Sequence, residues 1–228
     1  MRDTPDLYEN YIEFKGWDQK EAESRPEDFV ALLAAAGMPR PASVLDIGFG
    51  RGEFLKWAKS REIETFGSEI ILQLRQQAEE AGHSVINLED YKGEFPLVTA
   101  LDVLEHLTLD QLLAMLRDVR RLLTRDGRFV ARFPNGQSPF SLPFQNGDMT
   151  HLRALTPTSL KQVAALCGLR IVSASNPRSK PPGLKAIKRA ASYLLRDIVE
   201  IIIGYAYFGY RMPMDPNVVV VFARSDAA

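Results

Sequence analysis

The chain contains the stretch Val44-Leu45-Asp46-Ile47-Gly48-Phe49-Gly50-Arg51-Gly52, in which an apolar run ends at an acid and three glycines follow at alternate positions. A helical pattern of apolar residues begins directly afterwards, near Glu53. This order predicts a buried parallel strand, a tight turn and a helix whose N-terminus faces a ligand. Glycine suits such a turn because its backbone tolerates positive φ and lets a ligand approach closely.

The spacing of the glycines excludes two other ligand-binding loops. The dinucleotide pattern G-x-G-x-x-G requires glycine where Glu53 stands, and the phosphate loop requires Gly-Lys-Ser/Thr, which is absent here. What remains is Asp-x-Gly-x-Gly-x-Gly, which resembles the S-adenosylmethionine-binding motif of class I methyltransferases. The alternative for this stretch alone is a structural turn without a ligand. The resemblance implies that the cofactor is bound by Asp46, Gly48, Phe49, Gly50 and Gly52.

Acidic residues follow three further predicted strands. Glu69 ends a strand over residues 65–69, where the family has an acid that binds both ribose hydroxyls; a carboxylate can accept two hydrogen bonds from a vicinal diol. Glu89 and Asp90 follow a short strand over residues 85–88, where the family usually has a polar residue near the adenine amino group. Asp102 ends the fourth strand and is also assigned to the cofactor.

The string Asp-Val-Leu-Glu-His-Leu at residues 102–107 closely resembles the ubiquinone-biosynthesis-like branch of the same class. The regular alternation of strands and helices predicts a doubly wound α/β sheet. The resemblance, which covers about residues 42–174 and the final strand, implies a mostly parallel, seven-stranded, Rossmann-like sheet with an antiparallel last strand. We expect a methyltransferase domain over residues 42–228, preceded by an N-terminal helical lid.

The expected lid, residues 1–41, begins with an aromatic segment in which Tyr8, Tyr11 and Ile12 share helical spacing. Aromatic faces could cover the adenine or the sulfonium of the cofactor, and the alternative is an amphipathic helix that only packs on the domain.

Two histidines are candidates for general base catalysis. His106 follows the fourth strand and His151 precedes a helix whose start is marked by Thr156-Pro157, so both fall beside the cofactor edge of the sheet. An imidazole with a pKa near neutrality suits proton removal from a hydroxyl. His83 precedes a strand and is expected at the surface.

A metal site is the alternative hypothesis for the same residues. Asp102, Glu105 and His106 are spaced i, i+3 and i+4, and His151 could reach them from the following loop. Two carboxylates and two imidazoles suit a divalent cation, which would make Mg²⁺ a second cofactor. The set resembles the metal-assisted arrangement of small-RNA 2′-O-methyltransferases, with aspartate in place of the first glutamate.

Composition narrows the class of protein and its location. The 228 residues suit one α/β domain with an insertion, and 28 Lys and Arg against 29 Asp and Glu give no reason to expect nucleic-acid binding. The single Cys167 excludes an intrachain disulfide and suits a reducing compartment. With a polar start at Met1, the composition predicts a cytoplasmic protein.

An insertion over about residues 176–216 precedes the last strand, and its apolar residues keep helical spacing from Leu184 to Tyr205; Gly204 and Gly209 are expected to loosen the helix. One interpretation is a helix packed on the domain or at a homodimer interface. The other is a basic amphipathic surface, over residues 180–210, that meets a membrane or a lipid-linked substrate. Its basic residues are Lys180, Lys185, Lys188, Arg189 and Arg196.

These features predict a methyltransferase that uses S-adenosylmethionine, with O-methylation of a small-molecule or saccharide-like hydroxyl as the leading hypothesis. Methylation of a lipid-soluble phenol or quinone precursor is an alternative that the apolar insertion favours. A non-catalytic cofactor-binding module is the alternative outside enzymes, and the presence of His106 and His151 disfavours it.

Overall fold

The computed structural model describes residues 11–17, 25–180 and 182–226, which form one sheet with helices on both faces. The strands are β1 (Ser43–Ile47), β2 (Glu64–Ser68), β3 (Ser84–Val85), β4 (Phe95–Leu101), β5 (Leu123–Pro134), β6 (Leu169–Ser175) and β7 (Asn217–Arg224). The helices are α1 (Tyr11–Phe14), α2 (Pro26–Ala35), α3 (Glu53–Lys59), α4 (Leu72–Glu80), α5 (Leu109–Leu122), α6 (Leu142–Asn146), α7 (Pro157–Leu166) and α8 (Leu184–Phe208), with 3₁₀ turns at Leu104–His106 and Pro139–Ser141.

The sheet has the order β3-β2-β1-β4-β5-β7-β6. Strands β1 to β5 pair in parallel, whereas β7 lies antiparallel between β5 and β6. This topology confirms the predicted fold class, including the antiparallel last strand. Because the order reverses direction beside β1 and β4, their carboxyl ends meet at the crevice where open α/β sheets bind ligands.

Alternate strand residues build two cores, one on each face of the sheet. Leu45 and Val98 point toward the core that α5 and α7 complete, while Val44 and Leu97 point toward the core beneath α2 and α3. All four side chains are fully buried. A strand that is buried on both faces requires a continuous run of apolar residues rather than alternating polar and apolar residues. Such runs are easy to recognise in the sequence.

Two strand boundaries differ from the expected ones. Strand β3 stops at Val85, because Asn87 leaves the sheet edge and accepts a hydrogen bond from Arg75. Strand β5 begins at Leu123, and the expected turn at Asp126-Gly127 lies inside it. The pairing of β4 with β5 shifts its register between Phe95 and Leu97, and this shift accommodates the additional residues of β5.

The expectation that His83 lies at the surface is wrong. Its side chain is buried, and its Nδ1 atom lies 3.1 Å from the hydroxyl of Thr65. Burial, with the nearby Lys59 and Lys56, lowers the pKa of His83 and keeps the imidazole neutral. His83 therefore supports β2 and takes no part in the site below.

Helix α8 is continuous where a loosening was expected. It passes through Gly204 and ends at Gly209, whose φ of 76° is typical of a glycine helix end. A Cβ atom at Gly204 would lie 2.7 Å from the carbonyl oxygen of Tyr210, so this glycine allows a close backbone approach. Across the described parts of the chain, no helix combines the length and apolar character that crossing a membrane requires.

Candidate active site

The glycine turn after β1 has the backbone shape that the sequence predicts. Gly48, Gly50 and Gly52 have φ values of 65°, 53° and 70°, and α3 begins at the next residue. A Cβ atom at Gly48 would lie 2.6 Å from Val103, and one at Gly50 would lie 3.1 Å from Trp17. The first two glycines are therefore required by both conformation and space.

Glu69 closes the turn from the neighbouring strand. One carboxylate oxygen accepts a 3.0 Å hydrogen bond from the Gly50 amide, and the other accepts from the amides of Ile70 and Ile71 at 2.7 and 3.1 Å. These bonds fill three of the roughly four acceptor positions of a carboxylate, which leaves one for a ligand hydroxyl. Binding of both ribose hydroxyls, as the family implies, would require exchange of a backbone bond.

Asp46 lies beneath the turn and is almost completely buried. Burial raises the pKa of Asp46 to about 7, although a 2.7 Å hydrogen bond from Thr99 opposes that rise. The carboxyl also borders the central cavity. Asp46 therefore joins β1 to β4 through Thr99 and lies where it can meet a ligand.

The remaining predicted cofactor residues surround the same cavity. Glu89 and Asp90 border it beyond β3, and Asp90 accepts a long 3.5 Å hydrogen bond from Asn87. Phe49 is buried and packs on Gly67, where a Cβ atom would lie 2.5 Å from the Phe49 ring. Gly67 was not singled out in the sequence, because nothing in its local pattern indicates this contact.

The cavity has a volume of about 1350 Å³ and extends from the glycine turn to the loop after β5. Pockets for one small ligand typically measure about 300 to 1000 Å³, so this space can hold a nucleoside-sized cofactor together with an acceptor. Tyr11, Phe14, Lys15 and Trp17 of the N-terminal segment border it, as do Pro143 and Phe144 of the loop. Tyr8, part of the expected lid, lies outside the described residues.

His106 and His151 both border this cavity and pack edge to face, with ring centroids 4.6 Å apart. Two hydrogen bonds bring the segments together: the Leu152 amide donates to the Glu105 carbonyl at 2.8 Å, and Arg153 donates to the Leu107 carbonyl at 2.9 Å. The sequence thus predicted two residues that the fold does bring into contact.

Hydrogen-bond partners fix the protonation pattern of both imidazoles. Nδ1 of His151 lies 3.1 Å from the carbonyl oxygen of Gln145, and Nδ1 of His106 lies 2.9 Å from Thr150 Oγ1 and 3.3 Å from its carbonyl. A carbonyl only accepts, so the proton of each neutral ring is assigned to Nδ1 and the lone pair to Nε2. Burial and the neighbouring His151 lower the pKa of His106, which keeps this base neutral.

Asp148 and Thr150 form a relay that the sequence analysis missed. The Thr150 hydroxyl donates to Asp148 at 2.5 Å, so its oxygen is free to accept from Nδ1 of His106. Lys15 pairs with the same aspartate at 2.6 Å. Although burial opposes it, the bonds from Lys15 and Thr150 hold the pKa of Asp148 at about 2, so it stays ionised. The only sequence indication was an Asp-x-Thr directly before His151.

Glu105 is the least satisfied polar side chain of the site. It is 1% exposed, and neither carboxyl oxygen has a hydrogen-bond partner among the described residues. Burial and the nearby Asp102 raise the pKa of Glu105 to about 8, so the group is protonated at neutral pH. A neutral buried carboxyl can donate as well as accept a hydrogen bond.

Three of the four predicted metal ligands cluster. Glu105, His106 and His151 each offer one ligand atom, and these three atoms all lie within 4.8 Å of one another. Asp102 does not belong to this group, which differs from the predicted set of four. Its carboxylate pairs with Arg132 instead, and its backbone has a left-handed φ of 61°.

Comparisons with known proteins agree with this geometry. The family model of the methyltransferase domain matches residues 19–174. The chain therefore belongs to the methyltransferase-domain family, and it is a class I enzyme that uses S-adenosylmethionine. No curated protein sequence matches the chain.

Three solved structures illustrate the likeness. An S-adenosylmethionine-dependent methyltransferase from Archaeoglobus fulgidus is 20% identical, with a TM-score of 0.63 over 95% of this chain and 99% of its own. The plantazolicin methyltransferase BamL is 15% identical, with a TM-score of 0.61 over 96% and 91%. The 1,6-didemethyltoxoflavin-N1-methyltransferase of Burkholderia thailandensis is 20% identical, with a TM-score of 0.56 over 96% and 84%. The last two were solved with S-adenosylhomocysteine.

The residues of this chain fit that cofactor. Side chains at Gly48 and Gly50 would crowd Val103 and Trp17, which border the cavity; Glu69 keeps an acceptor position, and the cavity is larger than one ligand requires. When bound, S-adenosylmethionine supplies a methyl group on a positively charged sulfur. The chain itself supplies the glycine turn, the acids at the strand ends and, farther along the cavity, two imidazoles.

Proposed function

We propose that the protein methylates a hydroxyl group of a small-molecule or saccharide-like acceptor. The observation that supports this most directly is the pair of adjacent imidazoles at the cavity, each with Nδ1 engaged and Nε2 left to accept a proton. A hydroxyl oxygen attacks a methyl group efficiently only if its proton is removed, which is the role of a general base.

The two histidines differ in their surroundings. His106 is linked through Thr150 to the ionised Asp148, which stabilises the imidazolium that forms on proton uptake. His151 has its Nε2 atom 4.0 Å from Glu105 and 3.9 Å from Asp148, so the imidazole lies close to both acids. We assign His106 as the base and His151 with Glu105 as residues that orient the acceptor.

A divalent cation is the second mechanistic candidate, because Glu105, His106 and His151 offer three clustered ligand atoms. Cation binding would require loss of the proton from Glu105. A lipid-soluble phenol or quinone precursor is the second candidate acceptor; the string at residues 102–107 and the apolar insertion favour it. Fold likeness does not choose among acceptors, since the neighbours are named for different substrates.

Turnover measurements with S-adenosylmethionine against panels of sugars, lipid-linked sugars and catechols test the proposal. We expect His106→Ala to lower turnover by about 10² to 10⁴ while the dissociation constant of S-adenosylhomocysteine is unchanged. Full activity of both His106→Ala and His151→Ala would contradict base catalysis.

Chelation separates the two mechanisms. We expect turnover to survive excess chelator, since the base mechanism uses only the imidazole. Loss of turnover on chelation, with recovery on adding Mg²⁺ or Mn²⁺, would replace the base mechanism with the metal one, and Glu105→Ala should then be as damaging as either histidine change.

A further inference from the structure

Helix α8 has its polar and apolar faces reversed relative to an ordinary surface helix. The side that meets the rest of the protein carries charged residues, whereas large apolar side chains cover the opposite side. A surface helix normally turns its apolar stripe toward the core. The outward residues recur every three or four positions and are 44 to 79% exposed: Leu184, Ile187, Leu194, Leu195, Ile198, Ile201, Ile202 and Tyr205.

Ion pairs and hydrogen bonds hold the inner side of α8. Arg178 pairs with Asp197, and Arg196 pairs with Asp215 at 2.9 Å. Glu200 is buried, where it accepts from the Met214 amide at 2.9 Å and pairs with Arg211. These contacts place α8 in a defined orientation, so the outward position of its apolar face is a specified feature of the fold.

Charge is distributed unevenly along the same helix. Lys180, Lys185 and Lys188 are exposed and form no ion pair with any described residue, and no acidic residue occurs between Asp148 and Asp197 in the sequence. Aromatic residues follow at the other end, where Tyr205, Tyr207, Phe208 and Tyr210 are 49 to 79% exposed. Lysines beside an apolar face and tyrosines at its end are typical of helices that lie in a membrane interface.

We propose that the outward face of α8 docks on a bilayer surface that contains anionic lipid. The apolar side chains would enter the boundary between headgroups and acyl chains, and the three lysines would meet lipid phosphates. A second copy of the chain fits less well. The same face would bring the same lysines, while Asp197 and Glu200 are already paired with Arg178 and Arg211.

Hydrogen bonds join the segment that follows α8 to a loop that borders the cavity. The segment after α8 accepts hydrogen bonds from Asn135 and Ser138, through the carbonyls of Pro213, Met214 and Asp215. These two residues begin the loop that borders the cavity with Pro143 and Phe144. The segment after α8 therefore joins the docking helix to the loop that borders the cavity.

Vesicle flotation with the full chain tests the docking proposal. We expect the protein to float with vesicles of phosphatidylcholine and phosphatidylglycerol at low salt and to float less at high salt, because salt screens the attraction. Lys185→Gln/Lys188→Gln should weaken partitioning by about tenfold or more, since each basic residue near an anionic surface adds about fivefold. Ile198→Glu/Ile202→Glu should abolish it. The matched controls, Leu166→Glu on α7 and Lys92→Gln/Lys161→Gln, change exposed residues elsewhere and should float as the wild type does.

Sedimentation in the absence of lipid shows whether the chain is a monomer or a dimer. Thermal unfolding and S-adenosylhomocysteine binding should match the wild type in every variant, which shows that the fold is kept. Absence of flotation at low salt would overturn the proposal, whether the chain is a monomer or a dimer. A dimer that Ile198→Glu/Ile202→Glu dissociates would assign the face to a second copy instead.

Discussion

At the scale of single residues, the surroundings of two acids in the site, Asp148 and Glu105, shift their pKa values in opposite directions. Asp148 is held ionised by Lys15 and Thr150, whereas Glu105 has no hydrogen-bond partner among the described residues and keeps its proton at neutral pH. One carboxylate can thus stabilise a positive imidazole while the other donates a hydrogen bond. Two groups of the same chemistry gain different roles because their pKa values are pushed apart.

Two glycines of the turn allow a matched test. Gly48 and Gly52 have similar positive φ values, but only Gly48 lacks room for a methyl group, because Val103 would lie 2.6 Å away. We expect Gly52→Ala to cost about 1 kcal/mol of stability from backbone strain alone. Gly48→Ala should cost more and should weaken S-adenosylhomocysteine binding by about tenfold or more, as measured by calorimetry. Equal effects of the two changes on binding would contradict the assignment of Gly48 to close packing beneath the cofactor.

At the scale of elements, three separate segments hold the proposed base, His106. Lys15 follows α1, Asp148 and Thr150 belong to the loop between α6 and α7, and His106 ends the 3₁₀ turn after β4. Tyr11 also contacts His106, edge to face with ring centroids 6.2 Å apart. The N-terminal segment therefore does more than cover the cavity, because its lysine acts on the electrostatics of the base.

Neutralising Asp148 and Lys15 one at a time should shift the pH profile of kcat/KM in opposite directions. Asp148 raises the pKa of His106 and Lys15 lowers it. Asp148→Asn should therefore move the acidic limb of kcat/KM to lower pH, whereas Lys15→Met should move it to higher pH. Both changes break the same ion pair, so a purely structural role of that pair would shift neither limb, or both in one direction. Asp110→Asn, on the exposed start of α5, is the control.

At the scale of the whole molecule, the buried acids of the site affect stability. Between about pH 6.5 and 8 the folded chain keeps protons on Glu105, whose pKa is about 8, and partly on Asp46, whose pKa is about 7, while the unfolded chain has released them. The unfolded state then binds fewer protons, so the free energy of unfolding must fall as pH rises. The lowered pKa values of His83 and His106 oppose this fall near pH 6.5, where the unfolded histidines still bind protons, and this opposition fades as pH rises.

Denaturant unfolding should show this fall directly. We expect a loss of up to about 2 kcal/mol between pH 6.5 and 8, since each pH unit of a full proton difference is about 1.4 kcal/mol. Glu105→Gln should remove most of the slope, because the amide resembles the protonated acid but does not titrate. Glu64→Gln, an exposed change, should leave it intact. Identical slopes for wild type and Glu105→Gln would show that Glu105 is ionised in the folded state.

The features that could be predicted from the sequence are the local ones. Strand runs such as residues 44–47 and turns such as residues 48–52 are determined by neighbouring residues, so the sheet and the cofactor edge followed from their pattern. The Lys15–Asp148 pair joins residues 133 positions apart, and no local pattern indicates it. The reversed orientation of α8 was equally hidden, because periodicity shows that a helix has an apolar face but not where that face points.

The unpartnered carboxyl of Glu105 has a consequence for substrate choice. Glu105 borders the cavity, and its two buried carboxyl oxygens have no hydrogen-bond partner among the described residues. An acceptor with a polar group at that point restores the hydrogen bond, whereas an isostere without it leaves a buried polar group unpaired. Sites built to hydrogen-bond a substrate hydroxyl reject the analogue that lacks it by about 10⁴ to 10⁵. The enzyme is therefore expected to discriminate between acceptors that differ by one oxygen atom more sharply than between those that differ by one methylene.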